Sequence, residues 1–281
     1  MFKIVTKKEL GPGLKLMDIE APEIAAKARP GQFIILRIDQ CAERIPLTIA
    51  DLNQQEGWVT IIFQEVGRST NDLGMMKEGD MILDFVGPLG RASEIENFGK
   101  VICIGGGVGV APVYPITKAL YEAGNQVTAI IGSRTAEALI LQNEMLQVSH
   151  DLYVVTDDGS AGEKGLVTEP LMRLLEKSKY DRVVAIGPLP MMKAVSQTTR
   201  PFELPTIVSL NPIMVDGTGM CGACRVQVGD KTRFACVDGP EFDGHQVDWE
   251  NAMQRAKIFV VQEKQAMEAA GGGCRCQKPN V

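Results

Sequence analysis

From Lys100 onward, short apolar segments alternate with amphipathic ones, and this alternation constrains the fold more than any other feature of the 281-residue sequence. The apolar segments are Val101 to Ile104, Gln126 to Ile131, Leu152 to Thr156, Arg182 to Ile186 and Thr206 to Ser209. Helical periodicity falls between them, near Pro112 to Ala123, Ala136 to Val148, Glu169 to Lys177 and Pro190 to Thr198. Strands buried on both faces read as continuous apolar runs, and strand-helix-strand crossovers cover both faces of a parallel sheet. The sequence therefore predicts an α/β parallel-sheet domain over residues 99–210.

The first ninety or so residues have another texture. Short strands divided by turn residues run over Phe2 to Lys7, Leu14 to Ile19, Gln32 to Ile38, Arg44 to Ala50, Trp58 to Gln64 and Met81 to Val86. Several such strands in succession predict an antiparallel β-barrel over residues 1–98. One helix-like turn, Ser69 to Met76, follows Gly67. Beyond Leu210 the chain turns rich in Gly, Cys and Asp, then shows a helix-forming stretch from Trp249 to Ile258, and Gly271-Gly272-Gly273 open a loose tail. This third segment, 211–281, makes the expected architecture multi-domain: barrel, nucleotide domain, small cysteine-bearing segment.

Composition excludes several functions. Hydrophobic residues make up 45% and charged residues 23%, the balance of a globular protein. The longest apolar run, Val101 to Ile116, is interrupted by Gly105, Gly106, Gly107 and Gly109, so no membrane-spanning helix is expected. The N-terminus alternates like a strand, without a charged leader and apolar core, which predicts a cytoplasmic protein. A net charge of −6 argues against nucleic acid as a partner. Seven cysteines, five of them beyond residue 220, are an odd count for a disulfide framework and read first as ligands.

The sharpest chemical signal is the run Met214-Val215-Asp216-Gly217-Thr218-Gly219-Met220-Cys221-Gly222-Ala223-Cys224, with Cys236 further on. Two residues separate Cys221 from Cys224, eleven separate Cys224 from Cys236, and four separate Asp216 from Cys221. Plant-type ferredoxins space their ligands C-x4-C-x2-C with a distant fourth cysteine; here an aspartate stands in the first place. Glycines let a chain fold closely around a cluster and aim N–H groups at its sulfurs, which Gly217, Gly219 and Gly222 fit. We read Asp216, Cys221, Cys224 and Cys236 as ligands of a 2Fe-2S cluster. Zinc shares the Cys-x2-Cys hook but usually pairs two of them, and Cys274 and Cys276 form a poor second hook. Asp216 also has a plain alternative as a turn former before glycine.

A second signal is Ile104-Gly105-Gly106-Gly107-Val108-Gly109-Val110-Ala111-Pro112, which follows a strand and opens a helix. Backbone amides there can approach a pyrophosphate held at the helix N-terminus. The spacing is not a strict G-x-G-x-x-G, and the second strand runs into Ser133 and Arg134 instead of a ribose-binding acid; Arg134 could meet a 2′-phosphate or simply be solvated. Gly106, Gly107, Val108, Gly109 and Pro112 are the nucleotide candidates, joined by Asp157 and Asp158 and by Gly187, Pro188 and Met191 at the carboxyl ends of later strands. For each of these segments an ordinary strand-to-helix turn is the alternative.

With these residues in place, nearly the whole chain resembles the ferredoxin-NADP reductase superfamily, in particular electron-transfer subunits similar to that of dihydroorotate dehydrogenase. The resemblance implies a barrel that binds FAD, an α/β domain for NAD(H) or NADP(H), and a C-terminal 2Fe-2S segment. The flavin motif resembles Arg44-Ile45-Pro46-Leu47-Thr48-Ile49, and the flavin pyrophosphate stretch resembles Gly67-Arg68-Ser69-Thr70. Leu47 departs from the aromatic of many flavin reductases. Asp216 departs from the four cysteines of dihydroorotate-type subunits and is similar to the small subunits of NADH-dependent reduced ferredoxin:NADP oxidoreductase, also known as sulfide dehydrogenase beta subunits. The resemblance implies an oxidoreductase that passes electrons between NAD(H), FAD and the cluster to a larger flavoprotein/iron-sulfur subunit in a heterodimer, with ferredoxin reached through the complex. The alternatives are a dihydroorotate dehydrogenase subunit and a non-catalytic redox sensor or scaffold. No acid-base catalytic residue is expected.

Overall fold

The computed structural model describes residues 1–270; Cys274, Cys276 and the glycine-led tail lie outside them. The first sheet contains β1 (Phe2–Gly11), β2 (Leu14–Glu20), β3 (Phe33–Arg37), β4 (Ile45–Asn53), β5 (Trp58–Gln64), β6 (Met81–Ile82) and β7 (Asp84–Leu89). Helix α1 (Pro22–Ala25) follows β2, and α2 (Arg68–Met75) joins β5 to β6. The strand order is β6-β1-β2-β5-β4-β3-β7, with antiparallel pairings throughout. Residues alternate between the two faces of a strand, so Ile34 and Leu36 of β3 and Val59, Ile61 and Phe63 of β5 meet inside one buried cluster.

The two edges of this sheet are consecutive in the chain. The single strand expected over Met81 to Val86 divides at Leu83, where the chain leaves β1 and joins β3. The Leu83 N–H donates to the Ile38 carbonyl at 3.0 Å, so the chain itself links the two edges of a nearly closed barrel.

The second sheet is built from β8 (Lys100–Gly106), β9 (Gln126–Ser133), β10 (Asp151–Thr156), β11 (Glu163–Lys164), β12 (Arg182–Ile186) and β13 (Thr206–Ser209), ordered β11-β10-β9-β8-β12-β13 and parallel. Its crossover helices are α3 (Val110–Glu122), α4 (Gln142–Gln147), α5 (Thr168–Lys177) and α6 (Leu189–Thr199). The helix expected over Ala136 to Val148 is broken into a 3-10 turn, Ala136–Ala138, and α4, with Leu141 at a φ of 54° between them. Leu139, Ile140 and Leu141 all pack on the core. Consecutive helical residues fan around the axis, so one continuous helix could not bury all three.

The C-terminal segment forms the hairpin β14 (Arg225–Val228) and β15 (Lys231–Phe234), then α7 (Ala235–Asp238), β16 (Glu241–Asp243), α8 (Trp249–Arg255) and α9 (Val260–Ala270). Strand β16 adds antiparallel to the β13 edge, Val208 opposite Phe242. Asp248 caps α8 by accepting the Asn251 N–H at 3.0 Å, and α9 returns to α2, where Asn71 Nδ2 lies 3.9 Å from Met267 Sδ.

The three regions meet at Glu241, whose Oε1 accepts the Ser93 hydroxyl at 2.5 Å. Burial pushes the Glu241 carboxyl above its ordinary range; Ser93 and Arg182 oppose the rise and Glu94 adds to it. A carboxyl raised on folding contributes stability that is complete below the ordinary glutamate range and lost as pH climbs through its folded-state value. Glu241→Gln, which keeps the contact without the charge, is expected to raise the melting temperature by about a few degrees at pH 7. Melting curves should show that gain disappear below the ordinary glutamate range.

Candidate functional site

The glycine loop sits where the strand order reverses, between β8 and β12, the place where open α/β sheets bind ligands. Gly106 ends β8, Gly107, Val108 and Gly109 form a 3-10 turn, and Pro112 lies in the first turn of α3. A Cβ on Gly106 would meet the Met191 thioether, and one on Gly109 would stand 2.7 Å from Gly187 Cα. The loop therefore lies directly on the Gly187-Pro188-Met191 turn that opens α6. One strand away, Ser133 ends β9 and Arg134 is exposed. The Asp157 N–H donates to the Ser133 carbonyl at 3.1 Å and that of Asp158 to Arg134 at 3.3 Å. The hydroxyl and N–H of Ser160 hold the Asp158 carboxyl below its usual value. All twelve nucleotide candidates thus share one edge of the sheet.

That edge is fixed to the barrel. Ala50 of β4 and Ile62 of β5 share a buried cluster with Val110, Ala111 and Val113 of α3. On β4, Pro46 lies opposite Ile35, Leu47 opposite Ile34, and Thr48 opposite Phe33. Leu47 packs against the barrel interior, which leaves Pro46 and Thr48 on the other face of the strand and Leu47 with its backbone as its contribution there. Arg44 is exposed just before the strand. Gly67 caps α2, and Ser69 and Thr70 occupy its first turn. The Thr70 hydroxyl accepts the Val66 N–H at 3.0 Å and the Gly67 N–H at 3.1 Å. At the far end of α2, Lys7 Nζ donates to the carbonyls of Gly74 and Met76 at 2.5 and 2.7 Å, a cation at the negative end of the helix dipole.

The cysteine segment lies on another part of the same barrel wall. The β14–β15 hairpin brings its two ends together: the Ala235 N–H donates to the Cys224 carbonyl at 3.1 Å, and the Cys224 and Cys236 sulfurs stand 3.1 Å apart. Both cysteines are buried, in a cluster that includes Phe33 and Ile35 of β3. Burial and the neighbouring Cys224 push the Cys236 thiol up to about 12. Gly217 has a φ of +74°, and a Cβ there would lie 2.7 Å from Leu89 Cδ1 and 2.8 Å from Ile35 Cδ1; only glycine permits this seating on β3 and β7. Asp216 Oδ1 accepts the Thr218 N–H at 2.8 Å and its Oδ2 accepts the Cys221 N–H at 2.9 Å. These N–H groups, Thr218 first, hold its carboxyl below the usual range. Cys221 itself is exposed.

The four candidates therefore fall into two pairs, Asp216 with Cys221 and Cys224 with Cys236. Among the described residues, no three His, Cys, Asp or Glu side chains converge as they would on a single metal ion. A two-and-two division suits a binuclear cluster, one pair per iron, and does not suit one tetrahedral zinc.

Residues outside the sequence motifs also reach this loop. Arg225 Nη1 donates to the Gly222 carbonyl at 3.1 Å, Arg255 Nη2 to Ala223 at 3.0 Å, and Arg91 Nε to Val237 at 3.1 Å. Arg225 adjoins Cys224 and could have been suspected. Arg255 and Arg91 are far away in the sequence and leave no local mark.

Comparison with known proteins agrees with this geometry. Residues 103–197 match the oxidoreductase NAD-binding domain, and residues 211–248 match the iron-sulfur cluster binding domain of dihydroorotate dehydrogenase B. The fold and site thus define an oxidoreductase of the ferredoxin-reductase type with an iron-sulfur segment at its C-terminal end. The chain belongs to the family of dihydroorotate dehydrogenase B electron transfer subunits. It is 50% identical over 266 residues, 95% of this chain and 94% of the relative, to the Thermotoga maritima dihydroorotate dehydrogenase B (NAD(+)) electron transfer subunit homolog. The Desulforamulus reducens electron transfer subunit is 32% identical over 88% of this chain and 97% of its own. Among solved structures, a chain of the NADH-dependent reduced ferredoxin-NADP oxidoreductase, studied for flavin-based electron bifurcation, superposes with a TM-score of 0.91 at 48% identity, covering 96% of this chain and 98% of that one. No helix among the described residues is long and apolar enough to cross a membrane.

Proposed function

We propose that the chain is the electron-transfer subunit of a ferredoxin:NADP oxidoreductase complex of the electron-bifurcating kind, passing electrons between NAD(H), FAD and a 2Fe-2S cluster to a larger flavoprotein/iron-sulfur partner. One observation carries the reading: the barrel wall β3–β4–β5 touches the nucleotide loop through Ala50 and Ile62 and the cysteine segment through Phe33 and Ile35. FAD bound on that wall would take two electrons from NADH and release them singly to the cluster.

The chain's own residues supply binding and orientation. Pro46, Thr48 and the Leu47 backbone offer a surface beside β3, with Arg44 at its end, and the Gly67, Ser69 and Thr70 turn offers α2 N–H groups to a pyrophosphate. Gly106, Gly107, Val108, Gly109 and Pro112 take the nicotinamide nucleotide's pyrophosphate. Ser133, Arg134, Asp157 and Asp158 flank its adenosine end, and Gly187, Pro188 and Met191 its other side. Asp216, Cys221, Cys224 and Cys236 hold the cluster. Three units, 1–98, 99–210 and 211–281, divide these tasks.

A dihydroorotate dehydrogenase catalytic subunit is the second reading for the partner, favoured by the relatives that carry that name; Asp216 in a cysteine's place favours the first. Asp216→Cys is expected to alter the visible and EPR spectra and shift the cluster potential, because thiolate is softer than carboxylate. An unchanged spectrum and potential remove Asp216 from the ligand set. For the whole reading, anaerobic isolation should yield FAD, iron and acid-labile sulfide in the chain; zinc in place of iron contradicts it.

A further inference from the structure

The three arginines at the cysteine loop differ in setting. Arg91 is exposed and faces Asp238 at 3.7 Å, and Arg225 is exposed, so water screens both charges. Arg255 is half-buried on α8, its Nη2 holds the carbonyl between Gly222 and Cys224, and its Nε is buried without a hydrogen-bond partner. Among the described residues it takes part in no ion pair. Arg255 is therefore a partly buried cation, without an ion-pair partner among the described residues and held against the loop that carries two thiol ligands.

We propose that Arg255 is the positioning residue of the cluster loop and the charge that sets the cluster's reduction potential. The inference rests on the reading of Asp216, Cys221, Cys224 and Cys236 as 2Fe-2S ligands. Two effects follow from the one contact. The C=O and N–H of a trans peptide unit point in opposite directions, so fixing the Ala223 carbonyl outward turns the Cys224 N–H to the other side of the loop. A 2Fe-2S cluster held by this loop would also carry one more negative charge in its reduced form than in its oxidised form. A nearby cation in a medium less polarisable than water favours the reduced form and raises the potential. No bond or proton at Arg255 changes in either transfer.

The test is an EPR-monitored redox titration of the full chain, isolated anaerobically, as wild type, Arg255→Gln, Arg255→Lys and Arg225→Gln. Iron and labile sulfide are measured on each. Arg255→Gln, which can donate a hydrogen bond but carries no charge, should lower the reduced-to-oxidised ratio at fixed ambient potential at least tenfold, about 59 mV for one electron. Arg255→Lys should restore most of that ratio, and Arg225→Gln should move it less than Arg255→Gln does. A ratio within twofold of wild type in an Arg255→Gln protein with full iron overturns the proposal. If Arg255→Gln loses its iron, Arg255→Met takes its place: a ratio lowered at least tenfold in iron-replete Arg255→Met upholds the proposal, and a ratio within twofold of wild type, or loss of iron from Arg255→Met and Arg255→Lys alike, reduces Arg255 to a structural role and overturns it. Wild-type protein with flavin but no 2Fe-2S signal refutes the underlying ligand assignment instead.

Discussion

Replacing Cys236 with serine is expected to abolish the iron and labile sulfide of the protein while NADH still bleaches its flavin. Cys236 is 2% exposed and its sulfur lies 3.1 Å from that of Cys224, so the change removes one of a converged pair. A hydroxyl is a far poorer ligand for iron than a thiolate, and its burial adds an unmet hydrogen-bonding group. Electron delivery to the partner subunit should fall at least about a hundredfold, beyond the reach of modest repositioning; a tenfold change in rate corresponds to about 1.4 kcal/mol. Cys103→Ala is the control. Cys103 is equally buried, in β8, and burial pushes its thiol up to about 12, but it stands in the parallel sheet away from the loop. Iron content should be unchanged there. Loss of iron in Cys103→Ala with retention in Cys236→Ser reverses the assignment.

Gly109→Val is the second large effect expected. A Cβ at Gly109 meets backbone atoms, the Ile186 carbonyl and Gly187 Cα, and neither can swing aside. The turn must lift away from β12, at an overpacking cost of about 1–3 kcal/mol, and the amides at the start of α3 lose their placement. The NADH concentration that half-reduces the flavin should rise at least about tenfold, with FAD and iron content retained. Gly106→Ala is the contrasting variant, because its Cβ meets the end of the flexible Met191 side chain. Its effect should be several-fold smaller; equal effects contradict the steric explanation. Anaerobic titration of flavin absorbance with NADH reads both.

What the sequence made legible was whatever is written locally. The parallel strands from Val101 to Ser209 lie close to where their apolar runs place them, and the loop from Gly105 to Gly109 turns into α3 as a glycine-rich strand-to-helix junction should. Local pattern fails where a distant contact decides. Leu83 ends one strand because β1 and β3 compete for its neighbours, and no residue near it marks the break. The hairpin Arg225–Val228 and Lys231–Phe234 is short, and its second strand is mostly polar and exposed, so the alternation of Val226 and Val228 alone does not mark it, yet this hairpin is what joins Cys224 to Cys236. Cysteine and aspartate spacing singled out the proposed ligand set. The pairing of those four residues, the inward turn of Leu47 and the approach of Arg255 from 31 positions beyond Cys224 exist only in the folded chain.

On the proposed reading, two-electron reduction by a nicotinamide nucleotide is converted here into single-electron output across one barrel wall. Its most direct test is stepwise NADH addition to the anaerobic, as-isolated protein, with flavin absorbance and the cluster's EPR signal recorded at each step. Flavin bleaching should come first, with a 2Fe-2S signal rising afterwards from the same molecules. Protein that is colourless, or whose iron signal is indifferent to NADH while the flavin is fully reduced, contradicts it.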